Sequence, residues 1–189
     1  ASPRDVMQNN YEDCLCYAQT FGLHKDNLLL YGSTGLGKTF LSTSIAKHIS
    51  ENGFSVAYDT AIQVFGSYES VKFNSADAHE AANRIHKYEN ADLLIIDDLG
   101  TERGTEYALE HVYNVIDSRY RSGKPLILTA NISPDVLNNP PDMAHARIYS
   151  RILEMCVPIH VTGVQNRKAT AQRKMDTLKS MMNESPSDV

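Results

Sequence analysis

Residues 32–39 read Gly-Ser-Thr-Gly-Leu-Gly-Lys-Thr. They fill each fixed position of the pattern G-x-x-x-x-G-K-[ST]. The apolar run Asn27-Leu28-Leu29-Leu30-Tyr31 leads in as a buried strand, and a helical pattern leads out from Phe40 to Ile49. Glycines at 32, 35 and 37 allow backbone conformations that a side chain would forbid. The backbone N–H groups then turn inward and form a nest for an anion. The helix that follows adds its positive end at the same point. Gly32, Ser33, Thr34, Gly35, Leu36, Gly37, Lys38, Thr39 and Phe40 are therefore the expected cradle for a nucleoside triphosphate. In that cradle Lys38 neutralises the β- and γ-phosphates and the Thr39 hydroxyl ligates Mg²⁺.

The rest of the chain bounds what such a loop can serve. Its 189 residues suit one domain with a full core. Hydrophobic content of 42% and charged content of 22% are ordinary for a globular protein. No apolar run approaches the roughly 20 residues needed to span a bilayer, so no membrane role is expected. Cys14, Cys16 and Cys156 form neither a disulfide framework nor a zinc spacing. A reducing, cytoplasmic setting is the natural reading. The net charge of −5 argues against broad, unaided binding to nucleic acid. Arg167, Lys168, Arg173, Lys174 and Lys179 cluster late in the chain. They read first as a solvated helix face and second as a local basic patch.

Ser2-Pro3 starts a helix, with Met7, Tyr11, Cys14, Ala18 and Phe21 at helical spacing and Gly22 as its stop. Residues 1–26 are thus expected as a helix and linker leading into the core. The pattern then predicts strand Asn27–Tyr31, helix 38–52, a short strand 55–58, and helical signals over 60–90 broken around 73–75. A third strand, 91–97, is nearly all apolar and so buried on both faces. A helix over 105–121, strand 125–130, helix 144–155, strand 158–161 and a last helix over 165–182 follow. Residues 183–189 are a polar tail expected to be disordered. Strands alternating with helices imply a three-layer α/β/α sandwich around a mostly parallel sheet. Ligands of such sheets sit at the C-terminal strand ends. Residues 32–39, 97–98, 130–131 and the segment after 161 all fall there, which points to one composite site.

Leu93-Leu94-Ile95-Ile96-Asp97-Asp98 is an apolar strand ending in two carboxylates. Adjacent residues at a strand end point different ways. Asp97 is expected at the Mg²⁺ shell and Asp98 beside the attacking water, as general base or orienting group. Leu126-Ile127-Leu128-Thr129-Ala130-Asn131 ends in an amide that can hydrogen-bond the γ-phosphate or the water; an ordinary asparagine turn is the alternative. Arg147 and Arg151 lie four apart on one helix face. Surface salt bridges are the usual role of such a pair. In an oligomeric ATPase they could serve a neighbouring subunit, where an arginine finger is worth ~10³–10⁵ in turnover. Arg167 is placed to reach the phosphates of its own subunit.

These motifs, in this order, resemble the ATPase domain of the DnaC/DnaI-type replicative helicase loaders, within the AAA+ class. The run Asn27-Leu-Leu-Leu-Tyr-Gly-Ser-Thr-Gly-Leu-Gly-Lys-Thr-Phe-Leu-Ser is especially close, and the similarity covers about residues 2–175. IstB-type transposition ATPases look much alike, and the initiator DnaA is more distant. The resemblance implies an AAA+ core over 27–182 with sheet order 5-1-4-3-2 and no substantial C-terminal lid. It implies ATP as the nucleotide, slow hydrolysis to ADP and phosphate, and self-association into a ring or spiral through Arg151 and Arg147. It implies single-stranded DNA and a hexameric replicative helicase as partners, the latter through an N-terminal region absent from this sequence. Lys38 and Thr39 match the phosphate and Mg²⁺ positions, Asp97 the metal-binding acid and Asp98 the catalytic acid. Asn131 matches the first sensor, Arg151 the finger with Arg147 beside it, and Arg167 the second sensor. Many AAA+ proteins carry Glu where this chain has Asp98. Phe65, Tyr68, Lys72 and Phe73 fall where initiator-like members insert a DNA-binding element; a core-facing helix is the other reading. A transposition helper ATPase, a small-molecule kinase and a non-hydrolysing interaction module are the alternatives in function.

Overall fold

The computed structural model describes residues 3–24, 26–100 and 106–162. The expected last helix, the tail 183–189 and Arg167 with its basic cluster lie outside the described residues. The chain opens with helix α1 (Pro3–Gln19). Strand β1 (Asn27–Tyr31), helix α2 (Lys38–Glu51) and strand β2 (Val56–Thr60) follow. Helices α3 (Ala61–Lys72) and α4 (Ala78–Asn90) form a hairpin before strand β3 (Leu93–Leu99). Helix α5 (Glu106–Ser122), strand β4 (Leu126–Ala130), short helix α6 (Pro134–Asn138), helix α7 (Met143–Met155) and strand β5 (Cys156–His160) complete it.

All strand pairs are parallel, in the order β2-β3-β4-β1-β5. Read from the other edge this is the expected 5-1-4-3-2. The order places β1, β3 and β4 inside the sheet, and these are the strands whose residues are almost all apolar. Alternation sorts their side chains. Leu28, Leu30, Leu93, Ile95 and Ile127 face one side, with Ile45 and Ile49 of α2 and Cys14 of α1. Leu29, Leu94, Ile96, Leu126 and Leu128 face the other, with Val64 of α3, Ile116 of α5 and Ile152 of α7. Each buried Leu or Ile contributes roughly 1.5–3 kcal/mol, so the central strands supply most of the cohesion.

Polar residues inside this core have defined tasks. Buried Asn27 donates to the Met155 carbonyl at 3.2 Å and accepts from the Leu126 N–H at 2.8 Å. It thereby ties β1 to the starts of both neighbouring strands. Arg119 of α5, 2% exposed, donates to the carbonyls of Tyr88, Glu89, Ala91, Asp92 and Pro125. That guanidinium ties the end of α4 to the segments entering β3 and β4.

Several elements differ from the sequence reading, and β3 runs over Leu93–Leu99 where 91–97 was expected. β2 continues to Thr60 because Asp59 and Thr60 pair with Ile96 and Asp97. β5 begins at Cys156, directly after α7, because Cys156 pairs with Asn27. Helix α6 was not expected. Ser133 caps it by accepting from the Val136 N–H, and Pro134 occupies its first turn.

Candidate nucleotide site

The loop between β1 and α2 is anchored at both ends. Leu36 is buried in the core beneath α2. Gly32, at φ 136°, lies so close to β5 that an added Cβ would stand 2.4 Å from the Val161 carbonyl oxygen. Gly37, at φ 96°, is the left-handed residue from which α2 starts. Lys38 is 5% exposed. Its ammonium donates to the carbonyls of Gly32 at 2.9 Å and Ser33 at 2.8 Å, so its charge sits over the loop. Ser33, Thr34 and Thr39 are exposed along the same loop, and Phe40 stands 69% exposed beside it.

The two acids of β3 part company at a break in the sheet. The β3–β4 register shifts between Ile96 and Leu99, and Asp98 adopts φ 65°. Aspartate is among the few side chains that tolerate the left-handed region. Asp97 is 6% exposed and points back toward the loop. The Thr39 hydroxyl lies 3.1 and 3.3 Å from its two oxygens. Thr129 of β4 also donates to Asp97, while accepting from the Asp98 N–H at 2.9 Å. Burial, and after it the neighbouring acid Asp97, push the phenol of Tyr58 on β2 up to about 12. Asp98 is half-buried, and the Asn131 amide donates to its carboxylate. Asn131 therefore reaches the acid rather than making an isolated turn.

Lys38, Thr39, Asp97, Asp98 and Asn131 are thus brought to one edge of the sheet. A hydroxyl and a carboxylate within 3.3 Å of each other are hard oxygen donors. That donor set fits Mg²⁺, which takes one or two protein oxygens and keeps several waters.

The two arginines of α7 sit elsewhere. Arg151 is folded onto α5, 2.6 Å from Asp117, 3.0 Å from Glu154, and 4.5 Å above the Tyr120 ring. Asp117 is also paired with Arg121. These guanidinium groups, Arg151 first, hold the Asp117 carboxyl below the usual carboxylate range. Arg147 is exposed on the rim of a cleft of about 900 Å³ between α5 and α7, lined also by Glu110, Tyr113 and Met143. The aromatics of the α3–α4 hairpin divide. Tyr68 packs on the core and Phe65 lies 5.9 Å from the His111 ring. Phe73 is 67% exposed at the hairpin tip, with the Lys72 ammonium 5.6 Å over its ring.

Tyr58, Thr129 and Asp117 were not singled out in the sequence. Thr129 carried the one available signal, a hydroxyl in the apolar run Leu126–Ala130 two residues before Asn131.

A parallel sheet in this order, with lysine, threonine and two acids at its C-terminal edge, defines a P-loop nucleotide-binding protein of α/β architecture. More narrowly, the chain belongs to the IstB-like ATP-binding family, whose model, "IstB-like ATP binding protein", matches residues 16–175. Relatives work in chromosome replication. The initiator protein DnaA of Borrelia garinii subsp. bavariensis is 31% identical over 169 residues, covering 88% of this chain and 33% of that protein. The replicative helicase loader DnaI of Bacillus subtilis is 27% identical over 151 residues, covering 75% and 47%. The chain thus spans between about a third and half of these relatives. The crystal structure of the DnaC helicase loader superposes with a TM-score of 0.67 at 24% identity, covering 79% of this chain and 86% of that one. Among the described residues, no helix is long and apolar enough to cross a membrane.

Proposed function

We propose that this chain is the ATP-hydrolysing AAA+ domain of a DNA replication helicase loader, in which the nucleotide state controls affinity for single-stranded DNA and for the hexameric helicase. The observation that carries the reading is the convergence of Lys38, Thr39, Asp97, Asp98 and Asn131 at one sheet edge. The family match and the similarity to DnaI support the loader assignment.

The residues divide the work. The loop N–H groups and Lys38 hold the phosphates. Thr39 and Asp97 would hold Mg²⁺, which would supply neutralisation of phosphate charge. Asp98 orients the attacking water and accepts its proton, and Asn131 fixes the Asp98 carboxylate. Arg147 lies on an exposed rim suited to a neighbouring subunit, and Arg151 reaches one on leaving Asp117. Arg167 completes the phosphate contacts from within the chain. Phe73 and Lys72 offer a stacking ring and a cation to single-stranded DNA.

The first test is nucleotide affinity. Lys38→Ala loses binding of a fluorescent ATP analogue by about 100-fold, the upper scale of a lost hydrogen bond to a charged group, with an unchanged circular dichroism spectrum. Unaltered affinity in a folded variant would remove the site assignment. The family name favours one second reading, a transposition helper ATPase. It shares the site and differs in the protein partner, so pull-down with the helicase against a transposase separates the two.

A further inference from the structure

The mechanism above uses Asp97 and Asp98 as two separate acids. One side chain touches both residues. Thr129 is 1% exposed in the central strand β4. Its hydroxyl has one hydrogen and lone pairs to accept with. The hydrogen goes to the Asp97 carboxylate, and a lone pair takes the Asp98 N–H at 2.9 Å. That N–H lies inside the register break between Ile96 and Leu99. The Thr129 hydroxyl fills the place that a regular ladder would give to a β4 carbonyl. Asp98 turns to φ 65° at the same point, and its carboxylate meets the Asn131 amide. Thr129 lies on β4 and Asn131 directly after its end, two residues on, the spacing that puts side chains on one side of an extended segment. One fixes Asp97 and the Asp98 backbone, the other the Asp98 carboxylate.

We infer that Thr129 is a positioning residue that couples the metal-binding acid to the water-orienting acid, through one hydroxyl that donates to the first and accepts from the backbone of the second. The inference rests on the reading of Asp97 as the Mg²⁺ acid and Asp98 as the water-orienting acid. Valine has the shape of threonine and neither function of the hydroxyl. Thr129→Val therefore frees the Asp97 carboxylate to rotate and leaves the Asp98 N–H without its acceptor. Outer partners of metal ligands are typically worth 10–100-fold in metal affinity.

The experiment compares wild type, Thr129→Val, Thr129→Ser and Asp97→Asn. Mg²⁺ is titrated into each protein holding a fluorescent ADP analogue, with nucleotide affinity in EDTA and steady-state ATP hydrolysis measured alongside. Thr129→Val is expected to weaken Mg²⁺ binding about ten-fold or more and to lower kcat with little change in KM. Its metal-free nucleotide affinity stays at the wild-type value, and Thr129→Ser recovers most of both losses. Should Thr129→Val not fold, Thr129→Ala carries the same expectation. Wild-type Mg²⁺ dependence and kcat in Thr129→Val, beside an impaired Asp97→Asn, would overturn the coupling alone. Equal impairment in Thr129→Ser and Thr129→Val would also overturn it, because packing and not the hydroxyl would then be at work. An unimpaired Asp97→Asn would remove the metal-acid reading, and the coupling with it.

Discussion

Arg119 and Lys38 show how differently a buried cation is used at the two ends of this sheet. Lys38 is held over a loop built for phosphate. Among the described residues, the hydrogen bonds of Arg119 go to backbone carbonyls at the opposite end, and burial pushes its guanidinium down to about 10, still charged at neutral pH. Its role is to satisfy carbonyls where these segments meet, of which Pro125 also accepts from the Leu94 N–H and Glu89 from the Lys124 ammonium. Arg119→Met keeps the apolar stem and removes the donors, so it is expected to cost about 3 kcal/mol. Urea unfolding measures this, and ATP affinity of the folded variant stays unchanged because the nucleotide site lies at the other strand ends. Neither task is visible in the residue type. The octapeptide around Lys38 marked it as an expected phosphate contact, whereas Arg119 read only as part of the helix expected over 105–121.

Helices α5 and α7 are joined by the pairs that Asp117 makes with Arg151 and, within α5, Arg121. An acid whose folded pKa is depressed stabilises the fold above its unfolded value, near 4, and loses that contribution as pH falls through the folded value. Thermal melts of wild type are therefore expected to fall steeply below about pH 4. Asp117→Asn melts lower at pH 7 and shows a shallower fall over the acid window. Identical pH profiles would show that the pair does not link these helices energetically. The strands were more legible than this contact. The apolar run 93–96 and the loop before α2 carry their own local patterns. The boundaries of β2 and β5 do not, since they depend on which residues the neighbouring strands offer as pairing partners.

Assembly is where the proposed function meets the placement of Arg151. The arginine finger of a ring must reach a neighbour's phosphates, and here Arg151 is paired within its own chain while Arg147 is exposed. Light scattering with Mg²⁺ and single-stranded DNA is expected to show larger species with ATP than with ADP. Arg151→Ala is expected to lower turnover by about 10³-fold. Mixing Arg151→Ala with Lys38→Ala should restore part of the activity, because each variant supplies what the other lacks at a shared site. No recovery on mixing, with both variants folded, would mean that Arg151 acts inside its own subunit. In that case Arg147 becomes the residue to test in the same mixing format.

The phosphate loop, the identity of the buried strands and the parallel α/β architecture followed from the sequence, because each is written in short stretches of glycine spacing or apolar periodicity. Strand order came from the likeness to known loaders, since alternation alone does not say which strands are neighbours. The fold alone settled how the site is wired. Thr129 meets Asp97 and Asp98 across 32 and 31 residues of chain, and Arg151 meets Asp117 across 34. Such contacts depend on strand register, on the left-handed turn at Asp98 and on helix packing. Those are properties of how distant segments come to rest against one another, and no local pattern encodes them.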